Sequence, residues 1–179
     1  MQTEIIISGF GGQGALFAGQ LMAYSAMDNQ LEVTWFPSYG PEMRGGTASC
    51  TVIISDEEIG APVVGMPTAV IAMNLPSLDK YEPQVKPGGL LVVNASMVNR
   101  QALRTDIRSA HIPANEIAER IGDRRLTNMV LLGSLLANLN VLDLKTVEAS
   151  LRVHTPERHQ RLVPLNIQAL EEGATYLAA

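Results

Sequence analysis

Cysteine is nearly absent from this chain: Cys50 is the single thiol in 179 residues. It cannot close an intramolecular disulfide, and alone it cannot hold an iron–sulfur cluster or a thiolate zinc site. A basic excess is also missing. Thirteen Lys and Arg against 18 Asp and Glu give a formal charge of −5, which excludes the basic footprint of a nucleic-acid binder. No apolar run reaches the roughly 18–20 residues of a membrane-spanning helix. The N-terminus opens on a strand-like segment without a basic region and cleavage site. A soluble cytoplasmic chain is expected, with neither membrane nor nucleic acid as a partner. Aromatics are only 4%, so the core must be built from aliphatic residues, Ala and Met; hydrophobic residues at 46% supply enough for one domain spanning residues 1–179.

The pattern alternates strands and helices. Glu4–Ser8 reads as a strand buried on both faces, followed by glycines, then by a helix over Gln13–Met27. Leu31–Phe36 reads as a second strand and Pro37–Gly46 as a loop. Over Thr47–Ile54 the residues alternate, with Ala48, Cys50, Val52 and Ile54 on one face and the wetter Thr47, Ser49 and Thr51 on the other. Ser55–Glu58 suggests a turn into a partner strand ending near Val64. Ala69–Met73 and Gly89–Val93 read as buried strands, with Pro76 in the first turn of a helix between them. After Arg100 the pattern is helical: Ala114–Ala118 starts one helix, followed by Asn128–Leu139 and Leu144–Val153. Thr155-Pro156 signals a fourth helix, which Pro164 should kink or restart. The fold class expected is α/β: a Rossmann-like, mainly parallel sheet with helices on both faces and a helical C-terminal section.

Gly9-Phe10-Gly11-Gly12-Gln13-Gly14 fits G-x-G-x-x-G between a strand and a helix. Such glycines permit a tight turn, a close approach of backbone to a ligand, and close packing of the helix. Free N–H groups at the helix start favour an anion, typically a phosphate. A dinucleotide site also needs an acid roughly 20 residues on, at the end of the second strand. Here that end is Val33-Thr34-Trp35-Phe36, and Glu32 comes too early. A bare packing turn competes with the phosphate reading.

Ser38-Tyr39-Gly40-Pro41-Glu42-Met43-Arg44-Gly45-Gly46 follows a strand at its C-terminal end, where open α/β sheets place ligands. With this stretch the sequence resembles the gamma subunit of 2-oxoacid:ferredoxin oxidoreductases, over nearly its whole length. The two glycine-bearing loops carry the resemblance, the second in the form of the 2-oxoglutarate branch. Ser55–Ile59, Asn74–Tyr81, Asn128–Gly133 and the Asn166, Ala169, Gly173 pattern also look like family segments. Pro67-Thr68 departs from it, since an Asp is expected before the buried strand.

The resemblance implies a complex of alpha, beta, gamma and delta subunits. Such complexes decarboxylate a 2-oxoacid on thiamine diphosphate, pass electrons through iron–sulfur (4Fe-4S) clusters to ferredoxin, and transfer the acyl group to coenzyme A. It places the thiamine diphosphate and the clusters in partner subunits, so this chain alone holds no cofactor and carries no catalytic residue. Its share is assembly, with a contact to coenzyme A as the alternative role for the loops. The residues that would make that contact are Gly9, Gly11, Gly12, Gln13, Gly14, Ser38, Tyr39, Gly40, Glu42 and Arg44. Physically, the glycine turn can take a phosphate, Arg44 can supply a cation, and Tyr39 can lie against a flat ring. The rival classes are a free-standing NAD(P)-dependent dehydrogenase and a scaffold without a ligand.

Other candidates are weaker. His154 and His159 are five residues apart, off one helix face, and solvated histidines explain them better than a metal site. Cys50, on an apolar face, reads as a buried small hydrophobe. Arg120, Arg124 and Arg125 form a basic cluster whose default is a solvated face, with an acidic substrate or the phosphates of coenzyme A as alternative attractors. Met129–Leu136 is apolar nearly all round. It is either a central core helix or a docking surface.

Overall fold

A computed structural model describes residues 1–39 and 46–176, and of Tyr39 the backbone only. Six strands form one sheet: β1 (Gln2–Phe10), β2 (Glu32–Tyr39), β3 (Thr47–Ser55), β4 (Ala69–Ala72), β5 (Leu90–Asn94) and β6 (Arg108–Ile112). Their order is β2-β3-β1-β4-β5-β6. The run β1-β4-β5-β6 is parallel, whereas β3 pairs antiparallel with both β1 and β2. The helices are α1 (Ala15–Asp28), α2 (Leu75–Tyr81), α3 (Ala114–Ile121), α4 (Thr127–Asn138), α5 (Leu144–His154) and α6 (Val163–Thr175). The expected α/β class, the mainly parallel sheet and the helical C-terminal section are all present.

The period-two strands sort their side chains onto two faces. Ile5, Ile7, Cys50, Val52, Ile71 and Val92 point into the larger core, under α1, α4 and α6. Ile6, Val70, Ala72, Leu91 and Val93 form a smaller core under Leu78 and Tyr81 of α2. Within the larger core α4 is central. Every residue from Thr127 to Leu136 is buried, so its all-round apolarity marks a core helix and leaves no face for docking. Its partner α6 lies very close. A Cβ built on Gly173 would stand 2.7 Å from the carbonyl carbon of Val130, and one on Gly133 2.8 Å from that of Leu170.

Four expectations need correction. Residues 56–68 hold no strand, because β3 has both edges occupied by β1 and β2 and Gly60, Pro62, Gly65 and Pro67 interrupt any ladder. The stretch after Arg100 contains β6, an edge strand whose Arg108 and Ser109 are exposed and which lacks an apolar run. The wetter face of β3 is mostly covered. Ser49 and Ile53 are buried, and the Tyr81 hydroxyl donates to Ser49 Oγ at 3.3 Å. Finally, Thr155 closes α5 rather than opening a helix, its Oγ1 donating to the Leu151 carbonyl at 2.6 Å. A 3-10 segment, Glu157–Leu162, follows, and Pro164 sits in the first turn of α6, as a restart.

Candidate functional site

The chain leaves β1 toward β2 on one side and returns to β4 on the other, so the crevice of this sheet lies at the C-terminal ends of β1 and β4. The glycine loop lines it. Gly12 and Gly14 have φ of 94° and 81°, left-handed values that a side chain strains to adopt. Gly14 is the N-cap of α1. It offers no side-chain cap, and the first turn holds no acidic residue. The positive end of the helix therefore meets the crevice without an internal counter-charge. Gly9 is buried beneath the loop. Gln13 folds inward: its Oε1 accepts from Phe10 N at 2.6 Å and from Asn74 Nδ2 at 3.2 Å.

Beneath the loop lie four asparagines, of which Asn94 and Asn115 bond each other and the others tie down the loop and the helix starts. Asn128 Nδ2 donates to the Gly14 carbonyl at 3.1 Å. Asn94 Nδ2 donates to Asn115 Oδ1 at 3.1 Å and to the Met73 carbonyl at 3.3 Å. Thr127 Oγ1 donates to Asn115 Oδ1 at 3.2 Å, and Asn74 Oδ1 caps α2 by accepting from Ser77 N at 2.9 Å. Such a network, satisfied in low dielectric, holds its members rigidly.

Over this floor opens a cleft of about 320 Å³, lined by Gly12, Gln13, Met97, Asn115, Arg124, Arg125 and Thr127. Arg124 and Arg125 reach it because α3 stops at Gly122 and a 3-10 turn, Arg124–Leu126, leads straight into α4. Arg125 pairs with Asp123 at 2.6 Å and Arg124 with Glu119 at 3.6 Å, while their side chains stay 80% and 64% exposed. The Arg125 guanidinium holds the Asp123 carboxyl below its usual range. The exposed Arg124 pair stabilises by about 1 kcal/mol at most, whereas Arg125 grips Asp123 through both Nε and Nη2, so Arg124 is the freer of the two to turn to a phosphate, which Arg binds bidentately. Arg120 pairs with Glu172 at 2.7 Å, so the expected three-arginine cluster is split.

The second loop starts from the same edge. Tyr39 is in register with Ala48 and Phe10 with Thr47, and Gly11 N donates to the Gly46 carbonyl at 2.8 Å. Ser38 is exposed at the end of β2. Gly40, Glu42 and Arg44 lie outside the described residues, as does the Tyr39 side chain. The structure thus joins the first loop to the root of the second. It adds Asn115 and Thr127, which sequence reasoning had not placed at the site, and Arg124 and Arg125, which the sequence offered only as a basic cluster open to phosphates. Asn128, which stands in a family-like segment, was a further hint.

Two other readings lose ground. In a dinucleotide fold the second strand lies beside the first, so its terminal acid reaches the ribose. Here β3 intervenes and moves β2 one strand spacing away, about 4.8 Å. An iron–sulfur cluster does not fit either: Cys50 is buried on the core side of β3, and burial pushes its thiol up to about 12. Among the described residues, no group of three His, Cys, Asp or Glu side chains is placed to hold a metal ion. No described helix is long and apolar enough to cross a membrane.

The fold and the crevice define a Rossmann-like α/β unit with a glycine loop and a cationic rim suited to an anion. The pattern of the pyruvate ferredoxin/flavodoxin oxidoreductase family matches residues 4–176, and the chain belongs to that family. Two curated relatives are similar. One is the ketoisovalerate oxidoreductase subunit VorA of Methanothermobacter thermautotrophicus, 35% identical over 98% of this chain. The other is the 2-oxoglutarate synthase subunit KorC of Methanothermobacter marburgensis, 34% identical over 97% of this chain and 95% of its own. The chain spans only 36% of the length of VorA. Among solved structures, the gamma subunit of a keto/oxoacid ferredoxin oxidoreductase from Geobacter sulfurreducens matches with a TM-score of 0.85 and 30% identity, over 97% of this chain and 95% of its own. The 2-oxoglutarate:ferredoxin oxidoreductase of Magnetococcus marinus, solved with 2-oxoglutarate, coenzyme A and succinyl-CoA, shares the fold with a TM-score of 0.88 at 23% identity. This chain covers 32% of that one and 99% of itself is covered.

Proposed function

We propose that this chain is the gamma-type subunit of a cytoplasmic 2-oxoacid:ferredoxin oxidoreductase that converts 2-oxoglutarate to its acyl-CoA. It acts as one domain within a complex of alpha, beta and delta partners, which hold the thiamine diphosphate and the clusters and pass electrons to ferredoxin. Its own share is to complete the assembly and to seat the phosphates of coenzyme A. One observation carries the second part: Gly12 and Gln13 of the glycine loop and two exposed arginines line one cleft in the crevice of the sheet. Gly12 and Gly14 bring backbone N–H groups to the anion, while the Gly11 N–H is spent on the Gly46 carbonyl. Gln13 holds the loop closed from within. Ser38, Tyr39, Gly40, Glu42 and Arg44 of the second motif are the further residues assigned to the contact. The Ser38–Gly46 motif favours the 2-oxoglutarate branch, since the KorC and VorA relatives are almost equally similar.

The test is reconstitution of the four-subunit complex and assay of 2-oxoacid-dependent dye reduction. Arg125→Ala, Arg124→Ala and Arg44→Ala should each raise the KM for coenzyme A about tenfold, the effect of losing a charge-assisted hydrogen bond, with kcat kept. Unchanged KM values in all three would remove the coenzyme A seat. A complex that turns over 2-oxoisovalerate faster than 2-oxoglutarate would move the chain to the other branch. Turnover by the isolated chain would refute the division of labour.

A further inference from the structure

The link from β3 to β4 passes the start of β1, at the end of the sheet opposite the crevice, and neither the cleft nor the core explains it. From Ile59 to Pro67 it reads Ile-Gly-Ala-Pro-Val-Val-Gly-Met-Pro, without one polar or charged side chain. Such a run belongs in a core, yet this one faces water. Val63 is 83% exposed and Met66 54%, and Gly60, Ala61, Pro62 and Gly65 are exposed as well. Two points hold the arm to the body. Val64 packs against the smaller core, on the side of the sheet that carries α2, and the Pro67 carbonyl accepts from Lys86 N at 3.0 Å.

Three further features mark the arm as one half of a contact. The first is its backbone. From Glu58 to Met66 no backbone group is hydrogen-bonded to another described residue, so these donors and acceptors stay available. The second is its glycines. Gly60 and Gly65 have no positive φ, and a Cβ added to either would meet nothing within 4 Å. Nothing inside the chain calls for glycine there, whereas a surface lying close against the backbone would. The third is charge. The arm leaves the sheet beside Glu57 and Glu58, and Glu32 stands on the neighbouring strand in register with Ser55. All three carboxylates are exposed, and none is in an ion pair among the described residues.

We infer that the Ile59–Pro67 arm is a docking strip for the subunit that corresponds to the part of VorA outside the match, received in an apolar groove with a basic lip. The inference rests on the proposed place in a multisubunit complex and assigns that place a surface. A unit like this one spans 36% of the length of VorA and 95% of that of KorC. It therefore occurs both tethered to a larger neighbour and as a separate chain, and a separate chain needs a surface that holds the neighbour without the tether. Exposed Val63 and Met66 call for an apolar groove, and three unpaired carboxylates at the root of the arm call for cations at its mouth. A second copy of this chain fits poorly, since arm against arm it would add carboxylates and no cation. Docking at this end of the sheet leaves the cleft at the other end open.

The experiment titrates the full chain against the remaining subunits of the complex and reads the dissociation constant by calorimetry. Val63→Asp and Met66→Asp should each raise it about thirtyfold, the effect of losing a central apolar contact and burying a charge in its place. Both side chains lie outside the core, so the Tm of the chain alone should not move. Gly65→Leu adds bulk where the chain itself has room and should weaken the complex as much. Leu103→Asp, at a residue 78% exposed on another part of the surface, should leave the dissociation constant unchanged. Glu57→Lys combined with Glu58→Lys should weaken binding at low salt, and the affinity of the unaltered chain should fall as salt rises. With the chain in excess, kcat and the KM for coenzyme A should be the same for all of these variants. Unchanged dissociation constants for Val63→Asp, Met66→Asp and Gly65→Leu would overturn the strip and leave the proposed function standing. If the unaltered chain binds no other subunit, both fall. An equal loss for Leu103→Asp, or a lowered Tm of the Val63→Asp chain alone, would also overturn the strip. So would self-association of the chain that Val63→Asp abolishes, which would make a second copy the occupant.

Discussion

Replacing Gly173 by Ala tests the packing of α6 on α4, because helix propensity and geometry predict opposite signs. In a helix interior Ala is favoured over Gly by about 1 kcal/mol, so propensity alone predicts a more stable protein. The geometry disagrees. The new Cβ would stand 2.7 Å from the carbonyl carbon of Val130, where carbons normally rest about 3.5 Å apart. The obstacle is backbone, so no rotamer change relieves it, and the helices must separate by roughly 1 Å over a core that is otherwise closely packed. Overpacking of this kind costs about 3 kcal/mol, which leaves a net loss of about 2 kcal/mol. For a chain of this size that lowers Tm by about 4–8 °C and shifts the urea midpoint with m unchanged. Gly133→Ala probes the same contact from the other helix, since its Cβ would lie 2.8 Å from the Leu170 carbonyl carbon. Once the helices have moved apart, a second methyl adds less, so the double variant should lose less than the sum. An unchanged or raised Tm for Gly173→Ala would refute the close contact.

Two further outcomes follow from buried groups. Glu82 is buried and accepts from Arg100 at 2.8 Å, from Arg104 N at 3.0 Å and from Leu103 N, tying the segment after β5 to the end of α2. Burial alone would raise its carboxyl; the backbone N–H groups and Arg100 outweigh that and hold it below its usual range. A lowered folded value means that its contribution is whole above the unfolded value, about 4.3, and fades as pH falls through the folded one. Acid unfolding of Glu82→Ala, about 3 kcal/mol less stable at pH 7, should show a weaker dependence on pH below 4; parallel curves for the two proteins would contradict this. Cys50, with its thiol pushed up to about 12, is about one part in ten thousand thiolate at pH 8. A disulfide reagent should leave it unmodified in the native chain for hours and titrate one thiol in denaturant, and rapid native labelling would show that the core is open.

Local pattern made much of this fold legible. The aliphatic runs of β1, β4 and β5, the glycine turn before α1 and the apolar surface of α4 each follow from residues close together in sequence. The parts that stayed hidden depend on neighbours supplied from far along the chain. β6, Arg-Ser-Ala-His-Ile, is a strand because β5 offers it an edge, and nothing in its own composition says so. The misplaced strand near Val64 failed for the converse reason, since β3 had no free edge to give. At the site, positive φ at Gly12 and Gly14 was readable from residue type. The asparagine floor was not, because it exists only where four separate segments converge. Arg124 and Arg125 look alike in sequence whether they face bulk water or a cleft.

Because Gly11 is bonded to Gly46, just beyond the rung where Phe10 meets Thr47, the two loops spring from adjacent strands and share one hinge line. Their bases are held about one strand spacing apart, roughly 4.8 Å, by the sheet itself. No gap opens between two hydrogen-bonded strands, so a single small group can touch both bases at once.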